Sequence, residues 1–465
     1  MRIREKVSRT VFNLVLVILF AGCVKFQRAS LNPSQLYNEY NARRLESIEL
    51  KKFIEEKTGK IITNWPPQVW DFELLALAGL YFNPSLESAR ASGKVAESAI
   101  ISAGARPNPG IAPVGGINQT ALGQAGINPW IPAVTLNFPI ETANKRAYRI
   151  AVASNKTEVA KLNIVLTSWQ IRSNIRSAYI ELLANSARSN VLHKQLQILN
   201  KVKDAMEAQL AGGEIKATEI TPVTFSIANT EIELGSTIRD LNSALSQLAS
   251  AIGVPVNAIR RANLNLNLDV NTNLFSRFSK TNMIEFSLKT RADILAALYE
   301  YETAQSALQL EIAKQYPDIN LSPGYQWDQG EHKWTLGITF DLPVFNRNQG
   351  PIAEALANRN LAAAKFNELQ INVVSAMESA IVEARSALEQ INRFSSVQEA
   401  QKKHLSNLEA QLKFGVIDLL TIEQAKAEFL AIEKQLVEAY ISWVTALGKI
   451  ENAFLLPLEK FTPAE

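Results

Sequence analysis

Two runs of about ten residues alternate between apolar and polar side chains. Ile319, Leu321, Pro323, Tyr325 and Trp327 share one face, and Asn320, Ser322, Gly324, Gln326 and Asp328 share the other. Trp334, Leu336, Ile338, Phe340 and Leu342 likewise oppose Lys333, Thr335, Gly337, Thr339 and Asp341. Period-two alternation predicts strands, here a hairpin over about 318–343 turning through a loop at 328–333. A looser hairpin is expected over about 110–139. There Trp130, Val134, Leu136, Phe138 and Ile140 face away from Ala133, Thr135 and Asn137. Its other strand, near Ile111 to Ile117, is weakened by Gly115 and Gly116, and its loop spans 118–129.

Each hairpin is followed by a long stretch with neither Gly nor Pro, 141–211 and then Ile352 to Phe414. As helices these run about 105 Å and 95 Å at 1.5 Å per residue, too long for a globular core. Phe366, Leu369, Val373, Ala376, Ala380, Ala384, Ala387 and Ile391 form one stripe, and Val374, Met377, Ile381, Ala384 and Leu388 form a second beside it. One stripe makes a two-helix seam; two adjacent stripes let a helix touch neighbours on both sides, as in a closed cylinder of helices. Ala211-Gly212-Gly213-Glu214-Ile215 and Lys413-Phe414-Gly415-Val416-Ile417-Asp418 are the tips, with glycine ending the first helix of each hairpin. Thr221-Pro222 then fits an N-cap and first-turn proline on the first return. The returns run to about Ile252 and Ala453.

The order repeats. Asn83-Pro84-Ser85-Leu86 opens a helix ending near Arg106-Pro107, and Arg291-Ala292-Asp293-Ile294 opens another ending near Tyr316-Pro317. The prolines closing the strands, Pro139 and Pro343, occupy matching places. The expected organisation is a signal segment at 1–22, an N-terminal segment at 23–70, a first unit at 71–254 with helical hairpin 141–252, a linker at 255–285, a second unit at 286–455 with helical hairpin 352–454, and a tail at 456–465. The segments outside the two units are expected to belt the helices.

Placing the apolar strand faces in lipid changes the picture. A soluble sandwich also alternates, but strands of about 9–11 residues span a tilted bilayer crossing. Aromatics lie toward the strand ends and the opposite face is small and polar, as a membrane barrel requires. Four strands cannot close a barrel and open edges are not tolerated in hydrocarbon, so the chain must oligomerise if these strands are in lipid. His332 falls on a hairpin tip and reads as a solvated loop residue.

Composition adds boundaries. Formal net charge is +3, which gives no case for nucleic acid. Arg2, Arg4, Lys6 and Arg9 precede an apolar run from Val11 to Phe20 that ends Leu19-Phe20-Ala21-Gly22-Cys23, and Cys23 is the one cysteine. This reads as an export signal. The small residues before Cys23 resemble a bacterial lipobox, though Phe20 stands where Leu is usual. By that resemblance Cys23 is acylated and the chain is anchored to the outer membrane.

The lipobox, the duplicated unit, Asn83-Pro84-x-Leu86, the Pro139 and Pro343 exits and the tips at Gly213 and Gly415 together resemble TolC-type outer membrane efflux proteins. Glu141-Thr142-Ala143-Asn144-Lys145-Arg146 and Asn346-Arg347-Asn348-Gln349-Gly350 look most like their heavy-metal, CzcC-like branch. The resemblance covers about Trp70 to Leu456 and rests on the ordered set of motifs, none of which is specific alone. It implies a mainly α fold with transmembrane β. Three copies would form a twelve-stranded outer membrane β-barrel continued by a twelve-helix periplasmic α-barrel. It also implies docking to a periplasmic adaptor (membrane fusion protein) and, through it, to an inner-membrane pump in a Gram-negative envelope. The lipid-facing residues would include Trp334, Leu336, Ile338 and Phe340. The tips at Gly213, Glu214, Gly415 and Asp418 would form the periplasmic gate and the adaptor-docking end. For Asp418 a gate acid and a helix N-terminal acid favouring the dipole are equally open. The next acidic position of better-known members is Thr421 here, and their Tyr and Arg lock has no match around Leu412 to Asp418.

Other chemistry is missing from the sequence. His193, His332 and His404 stand at no metal-ligand spacing, and no phosphate loop or nucleophile–His–acid set occurs. No enzyme, resident metal or cofactor is expected. The leading expectation is a passive trimeric exit duct for small molecules or metal ions, gated at its periplasmic end, with type I secretion as a variant. The other class weighed is a periplasmic coiled-coil adaptor or spacer lipoprotein with no pore. It is disfavoured because the Trp334-to-Phe340 stripe would then lie in water.

Overall fold

The computed structural model describes residues 24–123, 128–267 and 280–458. The expected signal segment and Cys23 lie outside them, as do 124–127 of the first loop, 268–279 of the linker and 459–465 of the tail. The described residues from 24 to Arg43 belong to a unit of their own with helix α1 (Pro33–Ala42), whose N-cap Asn32 accepts from the Ser34 and Gln35 amides.

From Arg44 onward the order is α2 (Ile48–Thr58), α3 (Phe72–Phe82), α4 (Pro84–Gly104), β1 (Gly110–Ile117), β2 (Trp130–Ile140), α5 (Lys145–Ala211), α6 (Thr221–Ile252), α7 (Val256–Arg261), α8 (Lys280–Thr290), α9 (Ala292–Ala313), β3 (Ile319–Asp328), β4 (Glu331–Thr339), α10 (Gln349–Lys413) and α11 (Leu419–Phe454). The order of helices, hairpin and helical hairpin occurs twice: α3 begins at Phe72, inside the expected first unit, and α8 begins at Lys280, ahead of the expected 286. The long helices hold 67 and 65 residues, about 100 Å each.

Two cores form, one in each half. The first joins Leu45 and α2 (Leu50, Ile54) to α3, to Ile171 through Leu183 of α5, to Ala244 through Ile252 of α6, and to Ala258 and Ile259 of α7. The second joins Ile294 to Val373 through Ile391 of α10 and to Ala439 through Phe454 of α11, around the fully buried Trp443. The small residues of the predicted α10 stripe (Ala380, Ala384, Ala387) are buried there. Ala376 of the same stripe stays exposed.

Different residues make the same tie in each half. Asn83, the N-cap of α4, accepts from the Ser85 amide at 2.9 Å and donates to the Ala251 carbonyl at 2.7 Å. Arg291, preceding α9, donates to the Ala453 carbonyl and grips Asp293 through Nε (2.9 Å) and Nη2 (2.6 Å). Asp293 in turn accepts from the Ile294 amide. Each tie fastens the start of the helix before the hairpin, α4 or α9, to the end of the return helix.

Gly253 ends α6 in the left-handed region (φ 88°), and a Cβ there would lie 2.9 Å from the Phe82 carbonyl oxygen. Gly253→Ala is expected to destabilise by more than the ~1–2 kcal/mol of a left-handed alanine alone. Gly415→Ala (φ 68°, open space around the site) is expected to pay only that. Denaturant midpoints of the two variants check the difference.

Thr221 is the first residue of α6 and Ile220 its cap, contrary to the expected Thr221 N-cap. A short 3₁₀ turn at Ala217–Glu219 has already turned the chain, so the helix needs no side-chain cap at that point.

Candidate functional site

The four strands form one antiparallel sheet in the order β1-β2-β3-β4. The register pairs Leu321 with both Phe138 and Ile338, and Tyr325 with both Val134 and Trp334. Ile111 pairs with Leu136 and Ile117 with Trp130. One face is therefore apolar from edge to edge. The other carries Thr135, Asn137, Asn320, Ser322, Gly324, Gln326, Thr335, Gly337 and Thr339. Ser322 donates to the Asn137 side chain at 2.9 Å across that face. Gly324 lies between two threonines, and a Cβ there would meet Thr335 Oγ1 at 2.6 Å. Charge on the polar face is confined to the turn end, where Lys333 pairs with Asp328 at 2.6 Å.

Among the described residues both edges of the sheet, β1 and β4, lack a partner strand. All nine residues of β4 are exposed, so neither of its faces is covered. Trp334 (80% exposed), Leu336 (67%) and Ile338 (60%) stand in a row on its apolar face. Phe340 falls one residue beyond the strand. Pairing ends at Asn320–Thr339 because β3 begins at Ile319, so the expected extension to Leu342 has no partner. The expected 328–333 loop is also shorter. Asp328 already pairs with Glu331, and only Gln329 (φ 51°) and Gly330 (φ 98°) make the turn. His332 is therefore a strand residue opposite Trp327, with Nδ1 2.6 Å from the Tyr325 hydroxyl. His332 is exposed, as expected, and its expected place in a loop is corrected by that pairing.

Where strand becomes helix, charges lock the two halves together. Lys145, buried, donates to the Tyr316 carbonyl (2.6 Å) and to Asp318 (2.7 Å). Asp318 also accepts from the Thr142 amide at 2.9 Å. Glu141 takes a two-pronged grip from Arg149. Asn144 and Asn348 precede their helices in the left-handed region (φ 60° and 63°), and Asn348 Nδ2 donates to the Glu311 carbonyl at 2.8 Å. The two sequence phrases that carried the family resemblance are thus these two turns. The Arg149 hydrogen bond lowers the Glu141 pKa. Burial works to raise Asp318, but the hydrogen bonds from Lys145 and the Thr142 amide outweigh it, so its pKa lies below the ordinary 3.8.

A lowered carboxylate contributes stability that is in place above its unfolded value and fades as pH falls through the folded one. The contribution of Asp318 is expected to be complete above about pH 4 and lost below. Asp318→Asn should flatten the acid limb of the unfolding midpoint against pH; an unchanged limb would count against the lock.

Below this junction α5 and α11 are pinned side by side. Glu451, almost fully buried, forms an ion pair with Arg176, whose Nε lies 2.5 Å away, and accepts from Arg172 Nη2 at 3.3 Å and from the Leu458 amide at 3.0 Å. Arg172 also holds Glu73 through both oxygens (2.7 and 2.5 Å), and both guanidinium groups sit over the Phe72 ring. Burial lowers the Arg176 pKa and pushes Tyr179 up to about 12. Farther along, Arg188 clasps Glu438 at 2.7 and 2.8 Å, and Lys194 meets Glu433 at 2.7 Å.

At the tips Gly213 (φ 76°) and Gly415 (φ 68°) make left-handed turns, and Glu214 is exposed beside the first. Phe414 and Val416 are exposed on the second. Asp418 caps α11: Oδ1 accepts from the Thr421 amide at 2.9 Å and from the Thr421 hydroxyl. Its other oxygen accepts from Gln209 Nε2 of α5 at 3.1 Å, so the second tip is tied to the first. The Thr421 hydrogen bonds lower the Asp418 pKa. The sequence identified Asp418 and missed Gln209, which carries no local motif.

Among the described residues no helix is long and apolar enough to cross a membrane, and no group of three or more His, Cys, Asp or Glu could hold a metal ion.

The profile described as "Outer membrane efflux protein" matches residues 80–254 and 283–454, one match on each half of the duplication. The cobalt-zinc-cadmium resistance protein CzcC of Cupriavidus metallidurans is 25% identical over 395 residues, 82% of this chain and 90% of that protein. The pyoverdine export outer membrane protein OpmQ of Pseudomonas aeruginosa is 24% identical over 284 residues, 58% of this chain and 56% of its own length. In fold, the outer membrane protein VceC of Vibrio cholerae matches with a TM-score of 0.66 at 21% identity, over 82% of this chain and 95% of that one.

Proposed function

The chain belongs to the outer membrane efflux protein family, so its work is transport and not catalysis, and from that premise we propose that three copies form one passive duct. The β1 edge of each copy pairs with the β4 edge of the next, closing twelve strands and leaving no edge in hydrocarbon. The apolar face, with Trp334, Leu336 and Ile338 on β4 and Phe340 at its foot, meets lipid; the polar face lines the pore. The long helices continue the duct through the periplasm. Cys23, acylated, anchors each copy to the outer membrane. The observation that carries this reading is the pair of unpartnered sheet edges flanking an exposed apolar face.

The tips around Gly213, Glu214, Gly415 and Asp418 form the gated end and receive a periplasmic adaptor, through which an inner-membrane pump supplies the energy. Three Asp418 carboxylates about a threefold axis attract cations and repel anions. The likeness to CzcC over most of the chain supports divalent metal ions as cargo. The neutral hydroxyl and amide groups of the mid-strand polar face would neither trap nor repel them.

Asp418→Ala removes both the charge and the bond from Gln209. Single-channel conductance of the purified protein in planar bilayers is expected to rise and its cation preference to fall. Unchanged conductance and selectivity would take Asp418 out of the gate.

A further inference from the structure

Ala376 interrupts the buried stripe of α10, and a cleft of about 490 Å³ opens over it between α10, α11 and Arg291, the residue preceding α9. Val373, Ala380 and Ala453 complete an apolar floor. Asn372, Ser379 and Asn452 stand round it as hydrogen-bonding groups. Its charges are balanced: Lys449 pairs with Glu383 at 2.6 Å, and Arg291 is held by Asp293 and the Ala453 carbonyl.

The first half fills the corresponding place. Gly213 and Gly415, the two left-handed tip glycines, lie 202 residues apart (415 − 213), and Gly253 and Leu455, also left-handed, keep that step. The same step sets Asn174 where Ala376 stands, Gln170 where Asn372 stands and Gln247 where Lys449 stands. Gln170 Nε2 donates to the Asn174 side chain at 2.8 Å, so two amides close on each other there. In the second half the asparagine is replaced by a methyl group and Gln247 by a cation. The opening is made by the residues of the second half and not by the repeated fold.

The cleft opens away from α8. Asn372, Ala376, Ser379 and Glu383 fall on one line of α10, about 100–160° around the helix from Met377. Lys449 and Asn452 are likewise turned from Trp443 and Phe454 on α11. Met377, Trp443 and Phe454 belong to the core against which Met283, Ile284 and Leu288 of α8 pack. In the first half α3 takes that side, with Gly79 against Ile175, the counterpart of Met377. Inside a cylinder of helices, α3 and α8 of three copies would fill the pore. In the assembly proposed above they therefore lie outside, and the cleft opens on the lumen.

We infer that this cleft is a binding site on the lumen wall for a small zwitterion with an apolar body. The ligand's ammonium group meets Glu383 and its carboxylate meets Lys449, each replacing the other's internal partner. Its apolar part covers the floor from Ala376 to Ala453, and the amides and the Ser379 hydroxyl fix its orientation. A bare metal ion is a poor occupant, because Glu383 is the one carboxylate lining the cleft and Lys449 already holds it. The placement in the lumen rests on the proposed duct, whereas the cleft itself is complete within one copy.

The test titrates the full chain in lipid nanodiscs with Nε-dansyl-lysine, an amino-acid zwitterion carrying an apolar fluorophore. A saturable, blue-shifted rise in fluorescence is expected. Ala376→Leu fills the floor from an exposed helix position and is expected to weaken binding about tenfold or more while keeping oligomer yield. Lys449→Gln, which installs the first half's residue, should also weaken it and adds no bulk. Asn174→Leu, at the matching place in the first half, should bind like the unsubstituted chain. In planar bilayers the probe should lower the single-channel conductance of the unsubstituted chain and leave that of Ala376→Leu unchanged. No saturable binding to the unsubstituted chain, or equal binding by it and both cleft variants, would overturn the inference. Binding that both cleft variants weaken, with no effect of the probe on the channels, would overturn the lumen placement. The same binding by a protein that forms no channels would sink the duct and leave the cleft standing as a site.

Discussion

Ile338→Arg is expected to abolish most of the proposed three-copy duct. Ile338 stands mid-strand on the apolar face of β4, paired with Leu321 and 60% exposed in the single copy. An arginine on a lipid-facing strand near the bilayer midplane costs about 2–4 kcal/mol, and a three-copy barrel meets that cost in each copy. Within one copy the side chain touches little, so the soluble helical part should fold as before. The paired control is Thr335→Arg, on the opposite face and opposite Gly324, which should assemble if that face meets water. Yield of the detergent-extracted oligomer, compared for the two variants, reads the difference. Normal yield for Ile338→Arg, or equal loss for both, would remove β4 from lipid.

The second large effect lies away from the barrel. Glu451→Ala deletes the buried carboxylate that Arg172 and Arg176 share. Arg172 keeps Glu73, but Arg176 retains only its stacking on Phe72. Removing one partner of a buried ion pair costs about 3–5 kcal/mol, because the remaining charge stays desolvated. The Leu458 amide loses its acceptor as well. Glu451→Gln should cost less, since an amide oxygen can still accept. An exposed pair such as Lys161–Glu158 should contribute no more than about 1 kcal/mol, so Glu158→Ala calibrates the comparison. Denaturant midpoints of the three variants test the ranking; a Glu451→Ala midpoint near that of Glu158→Ala would mean the cluster is hydrated.

What the sequence reveals here follows from the range of each interaction. The period-two run from Ile319 to Trp327 and the glycine-free stretches are local signals, and both become the expected elements. The tips at Gly213 and Gly415 are legible because a left-handed helix end favours glycine. The foot of β4 is not, because Phe340 and Leu342 continue the alternation after the partner strand has begun at Ile319. Pattern cannot see where a neighbour's hydrogen bonds stop. His332 was misplaced for the same reason: the turn closed in two residues and left it in the ladder. The candidate site was legible in part. Asp418 stands out as an acid beside a tip glycine, whereas its partner Gln209 is an unremarkable helical residue far away in sequence. Arg172, Arg176 and Glu451 are likewise ordinary helix residues until α5 and α11 are set side by side. The phrase from Glu141 to Arg146 carried the likeness to the heavy-metal branch, but its role in locking Asp318 and Tyr316 to the start of α5 emerges only from the fold.

The central claim is a hollow three-copy duct, and the most direct test is the mass and shape of the detergent-extracted full chain, by multi-angle light scattering and electron imaging. The account predicts three copies around a continuous central channel, with a barrel at one end and helical tips at the other. A single copy, or a solid rod that stays soluble without detergent, would contradict it.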